Sequence, residues 1–219
     1  MAKRILRAVV LCSGSASSLQ YLLGHDTSYG KVYEVVGLFS NVTDASGLTF
    51  AQDHSIPTDV IDFKDWREKA GVPRADLKGR EPYFAQVTRI IREWNPDFII
   101  MSGFDVLITD PLLNEYSGKM LNVHPAFLSI LNDDGSRRYT GNGVVARAME
   151  AGDPTGSTIH LVTKETDGGP IVFESSSLPY EPGDDPKLHQ EKMKTSCDGP
   201  AYKRALQVLF SEGWPSKPW

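Results

Sequence analysis

Short apolar runs that alternate with helical segments are the feature that most limits the fold of this chain. Residues 5–12 form a β-branched run that ends at Ser13-Gly14, and residues 97–101 form a clearer one that ends before Gly103. Further strand-like runs cover residues 34–40, 57–61, 119–123, 157–162 and 171–177, and helix-like spacing covers 17–23, 45–54, 84–94, 110–116, 143–150 and most of 184–212, with a break near Gly199-Pro200. Strands alternating with helices form βαβ units. We therefore predict an α/β protein with a Rossmann-like, mostly parallel sheet and helices on both faces.

Two stretches lack a clear period. Residues 62–81 are rich in charge, which predicts a surface excursion or a short helix, and residues 125–142 are polar and irregular, as expected of an active-site loop. We find no repeat, linker or low-complexity segment. The expectation is one domain over residues 1–219.

Charge and cysteine content exclude several classes of protein. The net charge of -5 leaves no basic excess for general nucleic-acid binding. Cys12 and Cys197 are too few for a disulfide framework, and no His, Cys or carboxylate cluster has the spacing of a metal site. The apolar run near the N-terminus is too short for a signal peptide, and no stretch approaches the length of a membrane span. We expect a cytoplasmic protein without a metal site, a membrane span or general nucleic-acid binding.

A turn of small residues follows the first strand. Ser13, Gly14, Ser15 and Ala16 permit close approach of a ligand to the backbone, and the amides at the start of the next helix favour anions. The turn has neither the full glycine set of a dinucleotide site nor the lysine of a P-loop. By itself, a tight turn with a serine N-cap is an equally good interpretation.

The run Asn122-Val123-His124-Pro125 closes a predicted strand. Alternation places Asn122 and His124 on the same side of the chain, at the carboxyl edge of the sheet where α/β proteins bind ligands. An amide donor beside an imidazole suits oxyanion stabilisation and proton transfer. In isolation, the pattern is more typical of a strand-end histidine bonded to the backbone.

A second group surrounds Asp167-Gly168-Gly169-Pro170, a sharp turn that presents Asp167 inward. A carboxylate beside His124 would raise the pKa of the imidazole and fix its tautomer. Taken alone, this sequence is more often a simple hairpin turn, and His160 is more often a structural strand histidine. His25, His54 and His189 fall on predicted surface segments and receive no role.

The order of these motifs is more specific than any one of them. The turn at Ser13, then Ser40-Asn41, Gly103-Phe104, Asn122-Val123-His124-Pro125 and Thr166-Asp167-Gly168-Gly169-Pro170-Ile171 follow one another along the chain. In this the chain resembles the folate-dependent formyltransferase family over about residues 5 to 210, most closely the branch that formylates phosphoribosylglycinamide in de novo purine biosynthesis. The resemblance implies transfer of a formyl group from 10-formyltetrahydrofolate to an amine, without a metal.

The resemblance also implies roles for individual residues. Asn122, His124 and Asp167 match the catalytic trio, and His160 matches a histidine beside it. The predicted substrate-binding residues are Ser13, Gly14, Ser15, Ala16 and Asp198, and the predicted folate-binding residues are Phe104, Ile108, Glu165, Thr166 and Gly168.

Three departures from the family pattern concern ligand binding. Ser15-Ala16 replaces the usual asparagine and glycine of the phosphate loop, and Asp105-Val106 replaces the usual methionine and arginine. The segment 126–141 is longer than usual and carries Asp133, Asp134, Arg137 and Arg138. The reaction type is thus better supported than the acceptor. Another amine such as an amino sugar, hydrolysis of formyltetrahydrofolate, and folate or nucleotide binding without catalysis remain as alternatives.

Overall fold

The computed structural model describes residues 4–217 and residue 219, which divide into two compact units. The first unit holds residues up to Ala16 and Asp26–Met120, and the second holds Ser17–His25 and Leu121–Trp219. Among the described residues, no helix is long and apolar enough to cross a membrane.

The first unit is built on parallel strands β1 (Leu6–Cys12), β2 (Tyr33–Ser40), β3 (Thr58–Val60) and β4 (Phe98–Met101), in the order β3-β2-β1-β4. Its helices are α2 (Ser46–Asp53), α3 (Phe63–Ala70), α4 (Glu81–Glu93) and α5 (Leu112–Glu115), with a 3₁₀ turn at Lys78–Arg80. The strand core is fully buried from Ala8 to Cys12, as expected for parallel strands. Because the carboxyl ends of β1, β2 and β4 meet at one edge, the residues that follow them lie together.

The second unit contains α1 (Ser17–His25) and three antiparallel strands: β5 (Met120–His124), β6 (Thr158–Leu161) and β7 (Ile171–Glu174). The first residue of β5, Met120, is assigned to the first unit. Its other helices are α6 (Val144–Ala151), α7 (Pro186–Met193) and α8 (Gly199–Ser211), and α7 and α8 are joined by a π-helical segment at Lys194–Asp198. The predicted helix break near Gly199-Pro200 is the start of α8, where Pro200 needs no amide hydrogen. A Cβ atom on Gly199 would lie 2.2 Å from the Tyr21 side chain, so glycine permits close packing of α1 there.

The predicted class, α/β with a mostly parallel sheet, is confirmed, and the seven strands of the described residues occur where apolar runs indicated them. The charged stretch at residues 62–81 contains a regular helix, α3, whose charges point to water. Asp62 caps it by accepting a hydrogen bond from the Asp65 amide at 2.9 Å, and Gly71 ends it in the left-handed conformation.

Candidate active site

Strand β5 places Asn122 and His124 on the same side of the chain, as alternation requires. Asn122 is paired with His160 of β6, and His124 is paired with Thr158. His124 and His160 are both buried. The predicted convergence of an amide and an imidazole at the end of this strand is therefore present.

His124 is held by a hydrogen bond through one ring nitrogen, and its other ring nitrogen faces a carboxylate. Nε2 lies 2.8 Å from the carbonyl oxygen of Tyr139, and because a carbonyl only accepts, Nε2 carries a proton. Nδ1 faces Oδ2 of Asp167 at 3.4 Å. In the neutral ring Nδ1 is therefore bare and is the atom that gains a proton, next to the carboxylate.

Burial lowers the pKa of His124 below its ordinary value, and this outweighs the opposite effect of Asp167 and of the Tyr139 carbonyl. Asp167 does favour the charged ring, as the sequence suggests. The expected rise in the pKa of His124 is nevertheless not the net result, because desolvation of the buried ring is the larger effect. At neutral pH His124 is mainly uncharged in this structure.

Asp167 sits in a turn with an unusual backbone. Its φ of 52° lies in the left-handed region, which residues with a side chain seldom adopt. Besides His124, two more groups bind or face its carboxylate: the Gly141 amide donates to Oδ2 at 2.7 Å, and Nε2 of His160 lies 3.6 Å from Oδ1. Burial alone would raise the pKa of Asp167, but His160, His124 and the Gly141 amide together hold the pKa below its usual value. Asp167 is therefore an ionised carboxylate beside His124.

His160 orients the amide of Asn122. Its Nδ1 lies 2.9 Å from the carbonyl oxygen of Leu161 and so donates to it, which leaves Nε2 as an acceptor in the neutral ring. Nδ2 of Asn122 lies 3.2 Å from that Nε2. One N–H of the amide is used in this way, and the other remains to donate to a substrate oxygen.

The segment after His124, which the sequence predicts to be irregular, forms a small hairpin. Residues Leu131 and Arg137 pair across it, and the Asn132 amide donates to the Ser136 carbonyl at 2.8 Å. On the returning arm, every second residue contacts the site: Arg137 through its side chain, Tyr139 through its carbonyl and Gly141 through its amide. Sequence reasoning missed all three roles. Two of them belong to the backbone, which carries no sequence signal.

The first unit holds a separate polar cluster at the carboxyl ends of β1, β2 and β4. The hydroxyl of Ser13 lies 2.6 Å from Oδ1 of Asn41 and 2.6 Å from Oδ1 of Asp105, and the Asn41 amide donates to Oδ1 of Asp105 at 3.0 Å. The Gly14 carbonyl accepts from the Gly47 amide at 2.9 Å, and Ala16 is buried with a φ of 52°. The structure thus brings together three strand-end residues, one of them the acid that departs from the family pattern.

The predicted folate-binding residues fall in both units. Phe104 is buried and Ile108 half-buried in the first, whereas Glu165 and Thr166 are exposed and Gly168 half-buried in the second. With no ligand present, their role and the role of Ser13, Gly14, Ser15 and Ala16 stay predictions.

Asp198, predicted to bind substrate, is a buried carboxyl group at the end of the π-helical segment. Ser157 donates its hydroxyl to Oδ1 of Asp198 at 2.5 Å. Burial raises the pKa of Asp198 to about 6, and the bond from Ser157 and the charge of Lys194 only partly offset this. His189, expected at the surface, is likewise buried: Nε2 contacts the Thr155 hydroxyl at 2.7 Å, because α7 turns this position inward.

Replacing Asp198 with asparagine should stabilise the fold at neutral pH. The pKa of the folded state, about 6, exceeds the ordinary 3.8, so the stabilising contribution of this group is complete below pH 3.8 and is lost as pH rises through about 6. Asparagine removes that loss, which amounts to about 3 kcal/mol at most above pH 7. Urea unfolding of both proteins at pH 4 and pH 7.5 measures it: the variant should gain only at the higher pH, and equal stability at pH 7.5 would contradict the assignment.

A half-buried amide donor, a buried imidazole and a carboxylate within reach of one another have the chemistry needed to act on a carbonyl carbon, here on an α/β scaffold. Comparison with known proteins makes the assignment specific. A family model described as formyl transferase matches residues 6–197. The chain therefore belongs to the formyl transferase family.

Relatives of known name agree with this family. Phosphoribosylglycinamide formyltransferase of Escherichia coli (strain K12) is 29% identical over 82% of this chain and 76% of its own length. The trifunctional purine biosynthetic protein adenosine-3 of Drosophila pseudoobscura pseudoobscura is 31% identical over 94% of this chain, which spans 14% of that longer relative. A solved phosphoribosylglycinamide formyltransferase from Coxiella burnetii is 28% identical, with a TM-score of 0.73 over 96% of this chain and 89% of that one.

Proposed function

We propose that this chain transfers a formyl group from 10-formyltetrahydrofolate to a primary amine, with phosphoribosylglycinamide as the first candidate acceptor. The observation that carries the proposal is the contact between Asn122, His124, His160 and Asp167 in a chain of the formyl transferase family. The names of the relatives support the acceptor and a place in purine biosynthesis.

In the first step, the uncharged amine of the acceptor attacks the formyl carbon. A C–N bond forms, and the carbonyl electron pair moves to the oxygen, which becomes an oxyanion. The N–H of Asn122 that His160 leaves free donates to this oxyanion. Such a preorganised donor typically contributes about 3 to 4 kcal/mol to transition-state stabilisation.

The second step moves a proton. The attacking nitrogen has become cationic, and Nδ1 of His124, bare in the neutral ring, accepts its proton directly or through water. The Asp167 carboxylate, 3.4 Å from that nitrogen, stabilises the imidazolium. His124 then returns the proton to the folate nitrogen as the bond from the formyl carbon to that nitrogen breaks, which releases tetrahydrofolate and the formylated amine.

An acceptor without a phosphate is the second candidate, and the polar cluster of the first unit favours it. The carboxylate of Asp105 lies 2.6 Å from the Ser13 hydroxyl, at the start of the turn predicted to hold phosphate. A negative charge there opposes an anion and suits a hydroxyl or an ammonium group. An amino sugar has this chemistry.

We further propose a cytoplasmic enzyme that works as a monomer or homodimer on small molecules. Both cysteines are free and buried, and burial raises the pKa of Cys12 to about 11. Neither thiol is therefore reactive at neutral pH, which suits a reducing compartment.

An assay with purified protein tests the proposal. We expect loss of the formyl group from 10-formyltetrahydrofolate, followed by absorbance, to depend on added phosphoribosylglycinamide. Parallel reactions contain an amino sugar, or no acceptor. Turnover with the amino sugar alone would support the second candidate, and turnover without acceptor would indicate a hydrolase. Binding of the folate without turnover in any reaction would contradict the proposed catalysis.

A further inference from the structure

Arg137 makes a two-point contact with the turn that carries Asp167. From the returning arm of the hairpin, its half-buried guanidinium donates through Nη1 to the carbonyl oxygen of Asp167 and through Nη2 to that of Gly169, the latter at 2.9 Å. The planar fork of an arginine matches two acceptors held side by side, whereas an ammonium group lacks that geometry. Both partners belong to the backbone, so the contact constrains the path of the turn.

The turn needs such a constraint. Asp167 has a φ of 52°, a conformation that a side-chain-bearing residue holds only when its surroundings enforce it. On one side the turn packs tightly on β6: a Cβ atom on Gly169 would lie 1.8 Å from the Leu161 carbonyl oxygen. Arg137 binds two carbonyl groups of the same turn. The position of the Asp167 carboxylate follows from these two contacts together with the Gly141 amide.

We propose that Arg137 is a positioning residue for formyl transfer: it holds the turn at residues 165–170 so that the Asp167 carboxylate stays within reach of His124 and His160. This inference rests on the proposed function for its kinetic test. The proposal also explains why segment 126–141 is longer than is usual in the family, because this segment supplies Arg137. The same turn contains the predicted folate-binding residues Glu165, Thr166 and Gly168, so loosening it should also weaken donor binding.

Arg138 is a matched control on the next position of the chain. It is more exposed, and among the described residues its guanidinium pairs with Asp153 at 3.0 Å and lies over the Tyr139 ring, away from the carbonyl groups that Arg137 binds. Replacing it removes the same charge from the same arm. A difference between the two variants therefore reports the contact with the turn.

The kinetic test compares Arg137→Ala, Arg137→Lys and Arg138→Ala. We expect kcat/KM for the formyl donor to fall about 10- to 100-fold in Arg137→Ala, as for a displaced catalytic group, with a lower kcat and a higher KM for the donor. Arg137→Lys should lie between this variant and the wild type. Arg138→Ala should stay within about twofold, since an exposed ion pair contributes little. Guanidinium ion, added far below denaturing concentrations, should restore part of the activity of Arg137→Ala.

A second readout needs no turnover: the pKa of His124 measured by NMR titration of its ring. The groups that act on His124 are Asp167, the Tyr139 carbonyl, His160 and Arg147. If the turn shifts in Arg137→Ala, His124 loses part of the Asp167 attraction and its pKa falls further. Loss of a positive charge alone would move the pKa upward, so the sign separates the two explanations.

Wild-type kcat/KM together with an unchanged or raised pKa of His124 in Arg137→Ala would overturn the proposal, as would equal effects in Arg137→Ala and Arg138→Ala. If the alanine variant does not fold by circular dichroism, Arg137→Lys carries the same comparison. If the wild type transfers no formyl group, the proposed function fails, whereas the His124 titration still decides the role of Arg137.

Discussion

Replacing Asp167 with asparagine should lower kcat/KM for formyl transfer by about 10³-fold, within the usual range for losing a partner in acid–base catalysis. The amide oxygen of asparagine can still accept from the Gly141 amide, so the turn is preserved while the charge is lost. His124 then has no carboxylate to stabilise its protonated form. The measurement is steady-state kinetics over a range of pH, alongside an NMR titration in which the pKa of His124 should fall below that of the wild type.

Asp133→Asn is the control for this variant, because Asp133 is an exposed carboxylate of the hairpin. Its activity should match the wild type. Nearly full activity of Asp167→Asn would mean that another group receives the proton of the attacking amine, and the proposed proton path would have to be abandoned.

Replacing Asn122 with alanine should lower kcat by about 10²- to 10³-fold, because a single oxyanion donor is lost. The effect belongs to the transition state, so affinity for the folate should change little. Binding of an unreactive folate analogue by calorimetry and turnover in the formyl-transfer assay measure the two quantities separately. Asn132→Ala removes an exposed amide from the hairpin and serves as the control.

A loss of folate affinity as large as the loss of kcat would assign Asn122 to binding instead of catalysis. An unchanged kcat would remove it from the mechanism altogether. Either result would still leave the contact between Asn122 and His160 as a structural feature of β5 and β6.

The sequence was informative wherever local pattern and chain order decide the outcome. The apolar runs located the strands, and the period of two placed Asn122 and His124 together. The order of the motifs, through the family resemblance, indicated roles for Asp167 and His160, and the structure places an oxygen of Asp167 3.6 Å from a ring nitrogen of His160. Roles of ligand-binding residues such as Ser13 and Phe104 stay predictions, because they depend on molecules absent from the structure.

Other features depend on the balance of tertiary effects, which a sequence does not display. The charge of His124 depends on two opposing effects: burial lowers its pKa and the nearby Asp167 carboxylate raises it. The effect of burial is the larger. Asp198 and His189 are buried because of how the helices that hold them pack, although an aspartate is usually exposed. The contacts of Arg137 are made to carbonyl groups, which every residue possesses.

The two parts of the hairpin after His124 should differ in how much sequence variation they tolerate. Its tip, residues 132–135, is exposed, and changes of length or composition there leave the returning arm in register. Along the arm, the side chain of residue 137 and the backbone groups of residues 139 and 141 contact the site, so a one-residue insertion or deletion between them would displace these groups. Homologues of this chain should therefore vary in the length of the tip, whereas the number of residues between positions 137 and 141 should stay constant.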